Sequence, residues 1–281
     1  MTSYDVDEPA APQGDGGLVR LRLDLAYDGT DFAGWAAQPG QRTVEATVAD
    51  ALRLVLRLTE PPRLTVAGRT DSGVHAAGQV AHVDLPAAVD VEVLHRRIAG
   101  VLPEDVVVSR VSPAPAGFDA RFAAIGRRYL YRVSDGVLDP LRRRDTVAWP
   151  RPLDIEAMQS AANGLVGEHD FAAFCRPRAG ATTIRTLRCL EVTRGERVVA
   201  MAAEADAFCH HQVRSMVGAL LAVGDGRRPA HWPQQVLLAG VRDSAVNVAP
   251  AHGLTLVGVD YPADDQLAER VQVARARRDE A

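Results

Sequence analysis

The most concentrated chemistry in the chain lies in Val66–Val80, VAGRTDSGVHAAGQV. Glycines at 68, 73 and 78 punctuate this stretch, so its backbone can turn sharply and come close to a ligand. Between the first two glycines stand Arg69 and Asp71, a cation and an anion two residues apart. A carboxylate drawn into a closed pocket tends to protonate, and a neighbouring guanidinium opposes that by favouring the ionised form. The same spacing also fits a solvated turn in which Asp71 caps its own backbone. GxxxxGK[ST] is absent, so this is not a phosphate-binding loop of that kind. Ser72 and His75 have no spacing that would place them in a nucleophile–base pair.

The elements around this loop must hold it. Val19, Leu21, Leu23 and Leu25 alternate, which predicts a strand over residues 18–27. Thr43 is placed to cap a helix whose apolar face is Val44, Val48, Leu52, Val55 and Leu58. Strands at 64–67 and 79–85 flank the loop, followed by a helix at 91–99 and an extended stretch at 106–111. Arg127–Val133 alternates, with Tyr129, Tyr131 and Val133 on one face. A helix at 154–165, paired strands at 184–192 and 197–204, a helix at 210–223 ended by Gly224, and a strand at 254–261 complete the pattern. Two successive mixtures of strands and helices predict an α+β protein with antiparallel sheets. The division expected is a flexible tail at 1–17, one domain at 18–112 carrying the Asp71 loop, a second at 113–262, and a charged tail at 263–281. SerProAlaProAlaGly marks the boundary.

Composition narrows the class. Of 281 residues, 47% are hydrophobic and 24% charged, which excludes a disordered or collagen-like chain. No apolar run approaches the ~18 to 20 residues a membrane span needs, and the acidic, polar N-terminus lacks the order of a secretory signal. Three cysteines, Cys175, Cys189 and Cys209, are too few and too irregularly spaced for a disulfide framework or a CxxC metal site. A cytoplasmic protein is expected. The formal net charge is −4, yet residues 110–194 hold 14 Arg against 9 acidic residues. No lysine occurs, so every fixed cation is a guanidinium, which pairs bidentately with phosphate.

AGRTDSGVHAAGQVAH resembles the signature of the tRNA pseudouridine synthase A family. The resemblance continues through LDLAYDGTDFAGWAAQ, FDARFAAIGRRYLYRV, GLVGEHDFAAFCR, FCHHQVRSMVGALLAVGDG and APAHGLTLVGVDY, in the family's order and over most of residues 18–262. One departure is Ala36–Ala37, where the family usually has Gln after the Trp. The resemblance implies two ferredoxin-like, RRM-like halves around a central cleft. It also implies a cofactor-free isomerisation of uridines 38–40 in the tRNA anticodon stem-loop, by a homodimer, with no metal. Uracil leaves C1′ at N1, rotates, and reattaches through C5.

On this resemblance Asp71 is the catalytic aspartate. Breaking an N-glycosidic bond builds positive charge at C1′, which a carboxylate can stabilise or trap; removal of a C2′ proton is the alternative use of the same group. The resemblance also places Arg214 beside Asp71, Tyr129 as the ring that stacks on a flipped base, Arg69 on phosphate or the flipped nucleotide, and Leu254 against the uracil. His210 precedes Arg214 by four residues and shares its helix face. Cys209, His210 and His211 would diverge by about 100° per residue on a helix, too far apart to chelate one ion together. The arginines at 127, 128, 132 and 142–144 are candidates for an RNA-facing surface. Two other readings fit less of the pattern: a non-catalytic tRNA-binding or chaperone module on the same scaffold, and an N-glycosidase that releases uracil.

Overall fold

The computed structural model describes residues 17–176 and 182–279. β1 (Leu18–Tyr27) buries alternate side chains and is followed by α1 (Val44–Leu56), whose N-cap Thr43 accepts from the Ala46 N–H. β2 (Leu64–Val66) and β3 (His75–Pro86) form a hairpin with the Asp71 loop between them. α2 (Val91–Ala99), capped by Asp90, and β4 (Val106–Pro113) finish the first half. The second half contains β5 (Gly126–Ser134), β6 (Val147–Ala148), α3 (Ile155–Asn163), β7 (Gly167–Asp170), β8 (Ile184–Arg194) and β9 (Val199–Ala205). α4 (Gln212–Gly224), α5 (Trp232–Ala239), β10 (Leu254–Asp260) and α6 (Leu267–Asp279) follow.

The strands expected as two sheets join in one mostly antiparallel sheet of ten, in the order β4-β1-β3-β10-β5-β9-β8-β7, with β2 on β3 and β6 on β5. β10 makes the join. It pairs antiparallel with β5 and, through Thr255 and Leu256, parallel with the start of β3 at His75 and Ala76. Leu254 and Leu256, two apart on β10, point to the same face of the sheet. Leu254 packs in the core of the second half, and Leu256 in that of the first. The Asp71 loop therefore emerges beside the seam, where both halves can reach it.

At the ends, one expectation differs. The tail at 1–17 lies almost wholly outside the described residues. Residues after 263, expected as a charged, frayed end, form α6; Leu267 and Val271 pack on Ala67, Phe118, Ala120 and Ala123. Two buried apolar residues four apart dock an otherwise charged helix, too sparse a signal to stand out in sequence. Among the described residues no helix is long and apolar enough to cross a membrane.

Candidate active site

The Asp71 loop is fastened to the segment after β1. The Trp35 N–H donates to the Thr70 carbonyl at 3.0 Å, and the Gly73 N–H donates to the Phe32 carbonyl at 3.2 Å. The Ser72 hydroxyl donates to that same Phe32 carbonyl. Gly34 makes the close approach possible. Its φ is +94°, and a Cβ there would sit 2.8 Å from the Thr70 carbonyl oxygen. A side chain at 34 would thus push on the backbone next to Asp71. In sequence Gly34 lies in one of the family-like stretches, but nothing local shows that it underlies the catalytic loop.

Across the seam, α4 is buried all round; Arg214 is its one residue that is not. The Arg214 Nε donates to the Ala249 carbonyl at 2.7 Å, and one Nη reaches Asp71 Oδ2 at 3.2 Å. His210 Nε2 lies 3.3 Å from the other carboxylate oxygen, and His211 Nε2 lies 3.5 Å from Oδ2. Side-chain exposure of Asp71 is 25%, so the carboxylate is partly shielded from solvent.

The two histidines do not belong to the helix. α4 starts at Gln212, and His211 precedes it with φ 68° and ψ 0°, a left-handed conformation unusual for a residue with a side chain. This turn points two consecutive imidazoles at one carboxylate, with ring centroids 4.1 Å apart. The helical divergence expected for them therefore does not apply. Burial, aided by the positive charge of Arg214 and Arg176 and by His210, holds the His211 imidazole below its usual range, with Asp71 opposing. Nitrogen and oxygen atoms of Asp71, His210 and His211 lie within 4.8 Å of one another, a spacing a divalent ion could bridge. The guanidinium already on Asp71 makes that position electrostatically unfavourable for a dication.

Tyr129 lies on β5, opposite Leu256 and Ala203, with its ring edge-on to Phe208 at 5.3 Å. Burial pushes its phenol well above the ordinary range; nearby Tyr27 and Asp71 add to the shift and Arg127 opposes it. Phe208, absent from the residues singled out by sequence, is thereby part of the Tyr129 wall. Leu254 heads β10 opposite Tyr131 and is buried. The turn just before it touches the Asp71 loop, since a Cβ on Gly73 would lie 3.3 Å from Ala251 Cβ. Arg69 is exposed and, among the described residues, makes no hydrogen bond or ion pair.

Of the six arginines expected on an RNA-facing surface, one is internal, four are ion-paired, and Arg143 is exposed and donates to the Pro140 carbonyl. Arg127 is buried, and its guanidinium donates to the carbonyls of Ala124, Asp206, Ala67 and Arg121. Its role is internal: it satisfies four main-chain carbonyls of the protein itself. Arg128, Arg132, Arg142 and Arg144 remain at the surface but are ion-paired, with Asp260, Asp145, Asp145 and Asp28 respectively. Ser72 and His75 do not meet: the His75 Nε2 contacts the Arg144 and His252 carbonyls. Cys175 and Cys209, not expected to pair, are disulfide-bonded, with Cα atoms 5.8 Å apart. The bond joins the turn after Phe174 to the loop carrying His210, a proximity that only the tertiary fold creates.

A family model described as tRNA pseudouridine synthase matches residues 161–262. Among curated proteins, a tRNA pseudouridine synthase A of Frankia casuarinae is 65% identical over 265 residues, covering 93% of this chain and 96% of its own. The protein of the same name from Streptomyces griseus is 57% identical, covering 94% and 95%, and that of Mycobacterium leprae 51% identical, covering 92% and 94%. Among solved structures, a crystal structure of the archaeal box H/ACA sRNP Nop10-Cbf5 complex aligns with 72% of this chain and 44% of that chain. Its identity is 14% and its TM-score 0.31, too distant to bear on the fold.

Proposed function

The chain belongs to the tRNA pseudouridine synthase A family, an isomerase acting on uridine in tRNA, and from that premise we propose that Asp71 is its catalytic carboxylate. The observation that carries this reading is the contact between Asp71 and Arg214 across the seam of the two halves. As N1 leaves C1′, positive charge grows on the sugar, and Asp71 supplies the opposing charge. Uracil then rotates and C5 bonds to C1′; the proton on C5 is lost and N1 takes one up. No atom is gained or lost overall. Arg214 keeps the carboxylate fixed while the base turns.

The other groups follow from what they offer. Tyr129, braced by Phe208, gives a flat surface for an extruded uracil and brings a phenol near C5. Leu254 closes the apolar side of that pocket. Arg69, without a protein partner among the described residues, holds the backbone phosphate or the extruded conformation. The targets are uridines 38–40 of the anticodon stem-loop, and the working form is a homodimer in the cytoplasm. A single chain of 281 residues has limited surface with which to grip a whole tRNA. The two sides of β10 are read as ferredoxin-like lobes, residues 18–112 and 113–262, flanking the cleft.

The test is Asp71→Asn. Tritium release from 5-tritiated uridine in tRNA should be abolished while tRNA binding persists. Turnover near wild type would reject the role. Chromatography of the wild-type product separates isomerisation from an N-glycosidase, which would release free uracil.

A further inference from the structure

Arg69 and Asp71 project from the loop, whereas the side chain between them points inward. Thr70 is buried, and its hydroxyl is 2.8 Å from the phenolic oxygen of Tyr27. The Gln79 amide nitrogen donates to that phenolic oxygen at 3.2 Å and to the Gly68 carbonyl at 2.8 Å. Tyr27, Thr70 and Gln79 come from β1, the loop and β3, and all three are buried in the first half. The chain of bonds runs from Gly68 through Gln79 and Tyr27 to Thr70. It grips the backbone on both sides of Arg69 and immediately before Asp71. Trp35 stacks obliquely on the Tyr27 ring at 6.1 Å and donates its backbone N–H to the Thr70 carbonyl, so the phenol and the loop share one support.

A buried polar chain of this kind is unforgiving. Its members have no water to turn to, so losing one hydroxyl leaves its partner unsatisfied and free to move. Burial pushes the Tyr27 phenol up to about 12, countered by its bonds to Thr70 and Gln79, so it stays protonated across the working range. We infer that Tyr27, Thr70 and Gln79 are positioning residues for the isomerisation: they set where Asp71 meets the sugar without touching tRNA themselves. This rests on the reading of Asp71 as the catalytic carboxylate.

The experiment compares Tyr27→Phe, Thr70→Val and Thr70→Ser with wild type, alongside Asp71→Asn, in tritium-release assays run well below each variant's Tm. Tyr27→Phe and Thr70→Val should each lower kcat by about ten- to a hundredfold, the scale of a small misplacement of a reacting group, with KM and tRNA affinity unchanged. Thr70→Ser, which restores the hydroxyl, should recover most of kcat. The double variant should be little slower than either single one, because both break one chain. A kcat within twofold of wild type in Tyr27→Phe, equal loss in Thr70→Ser and Thr70→Val, or KM rising in step with the loss of kcat would overturn the inference. If Asp71→Asn is inactive and the Tyr27 and Thr70 variants turn over normally, only this inference fails. Turnover by Asp71→Asn removes the reading beneath it.

Discussion

Arg214 meets Asp71 at 3.2 Å across 143 positions of sequence. Its placement is over-determined: the Nε donates to the Ala249 carbonyl, and the Arg214 carbonyl in turn accepts from the Ala249 N–H. One guanidinium thus serves two acceptors in fixed directions, which a flexible ammonium cannot reproduce. Everything else on α4 is buried, so the helix acts as a rigid mount for that one cation.

Arg214→Lys should therefore keep the charge and lose the geometry. The expected result is a fall in kcat of roughly a hundredfold, comparable to a reacting group displaced by about an ångström, with the protein still folded and still binding tRNA. Single-turnover tritium release at saturating enzyme measures it. A lysine variant as fast as wild type would show that charge alone is needed there.

Gly34 and Gly40 give a matched pair. Both have positive φ, +94° and +70°, so alanine costs backbone strain at either, on the order of 1–3 kcal/mol. Only at Gly34 would the new Cβ meet the loop, 2.8 Å from the Thr70 carbonyl, while nothing lies within 4 Å of the one at Gly40. Both variants should lose thermal stability, Gly34→Ala the more, because its Cβ must also displace backbone. Gly34→Ala alone should lose kcat when assayed at a temperature where both are folded. Equal kcat in the two would mean that the segment after β1 does not support Asp71.

Parts of this arrangement are legible in sequence and parts are not, for identifiable reasons. The loop of Arg69 and Asp71 shows itself through its glycines and flanking alternation, and most of the strands follow from period-two patterns. Arg214 is found only through the family resemblance, since a helical arginine has many ordinary uses. His210 and His211 are misplaced on the helix because a left-handed residue other than glycine leaves no mark in sequence. The parallel contact of β10 with β3 joins positions 75 and 255, a separation that no local pattern encodes. Arg127 reads as one more cation in a basic stretch; that it ends among four carbonyls depends on three loops meeting.

Acid sensitivity should trace partly to Asp135. Hydrogen bonds from Arg194, opposed by burial and aided by the Leu153 N–H, hold its carboxyl down from 3.8 to about 2. The folded value lies below the unfolded one, so the ionised form favours folding. That stability is present above pH 3.8 and lost as pH falls toward about 2. Asp135→Asn should lower Tm at neutral pH, and the gap from wild type should close across this window. Thermal melts at successive pH values read it directly; a gap constant with pH would reject the assignment.

Arg127 and Arg69 should separate cleanly by salt and heat. Arg127 is satisfied inside the protein, where lysine cannot serve four carbonyls at once. Arg127→Lys should thus lower Tm and leave the salt dependence of tRNA affinity unchanged. Arg69 has no protein partner among the described residues to lose. Arg69→Gln should leave Tm near wild type and flatten the slope of log affinity against log salt by roughly 0.7 to 0.9, the loss of about one phosphate contact. Filter binding across a salt series, paired with thermal melts, checks both arms. A flattened slope in Arg127→Lys would return that residue to the RNA-facing surface. An unchanged slope in Arg69→Gln would take Arg69 off phosphate and leave it the extruded nucleotide alone.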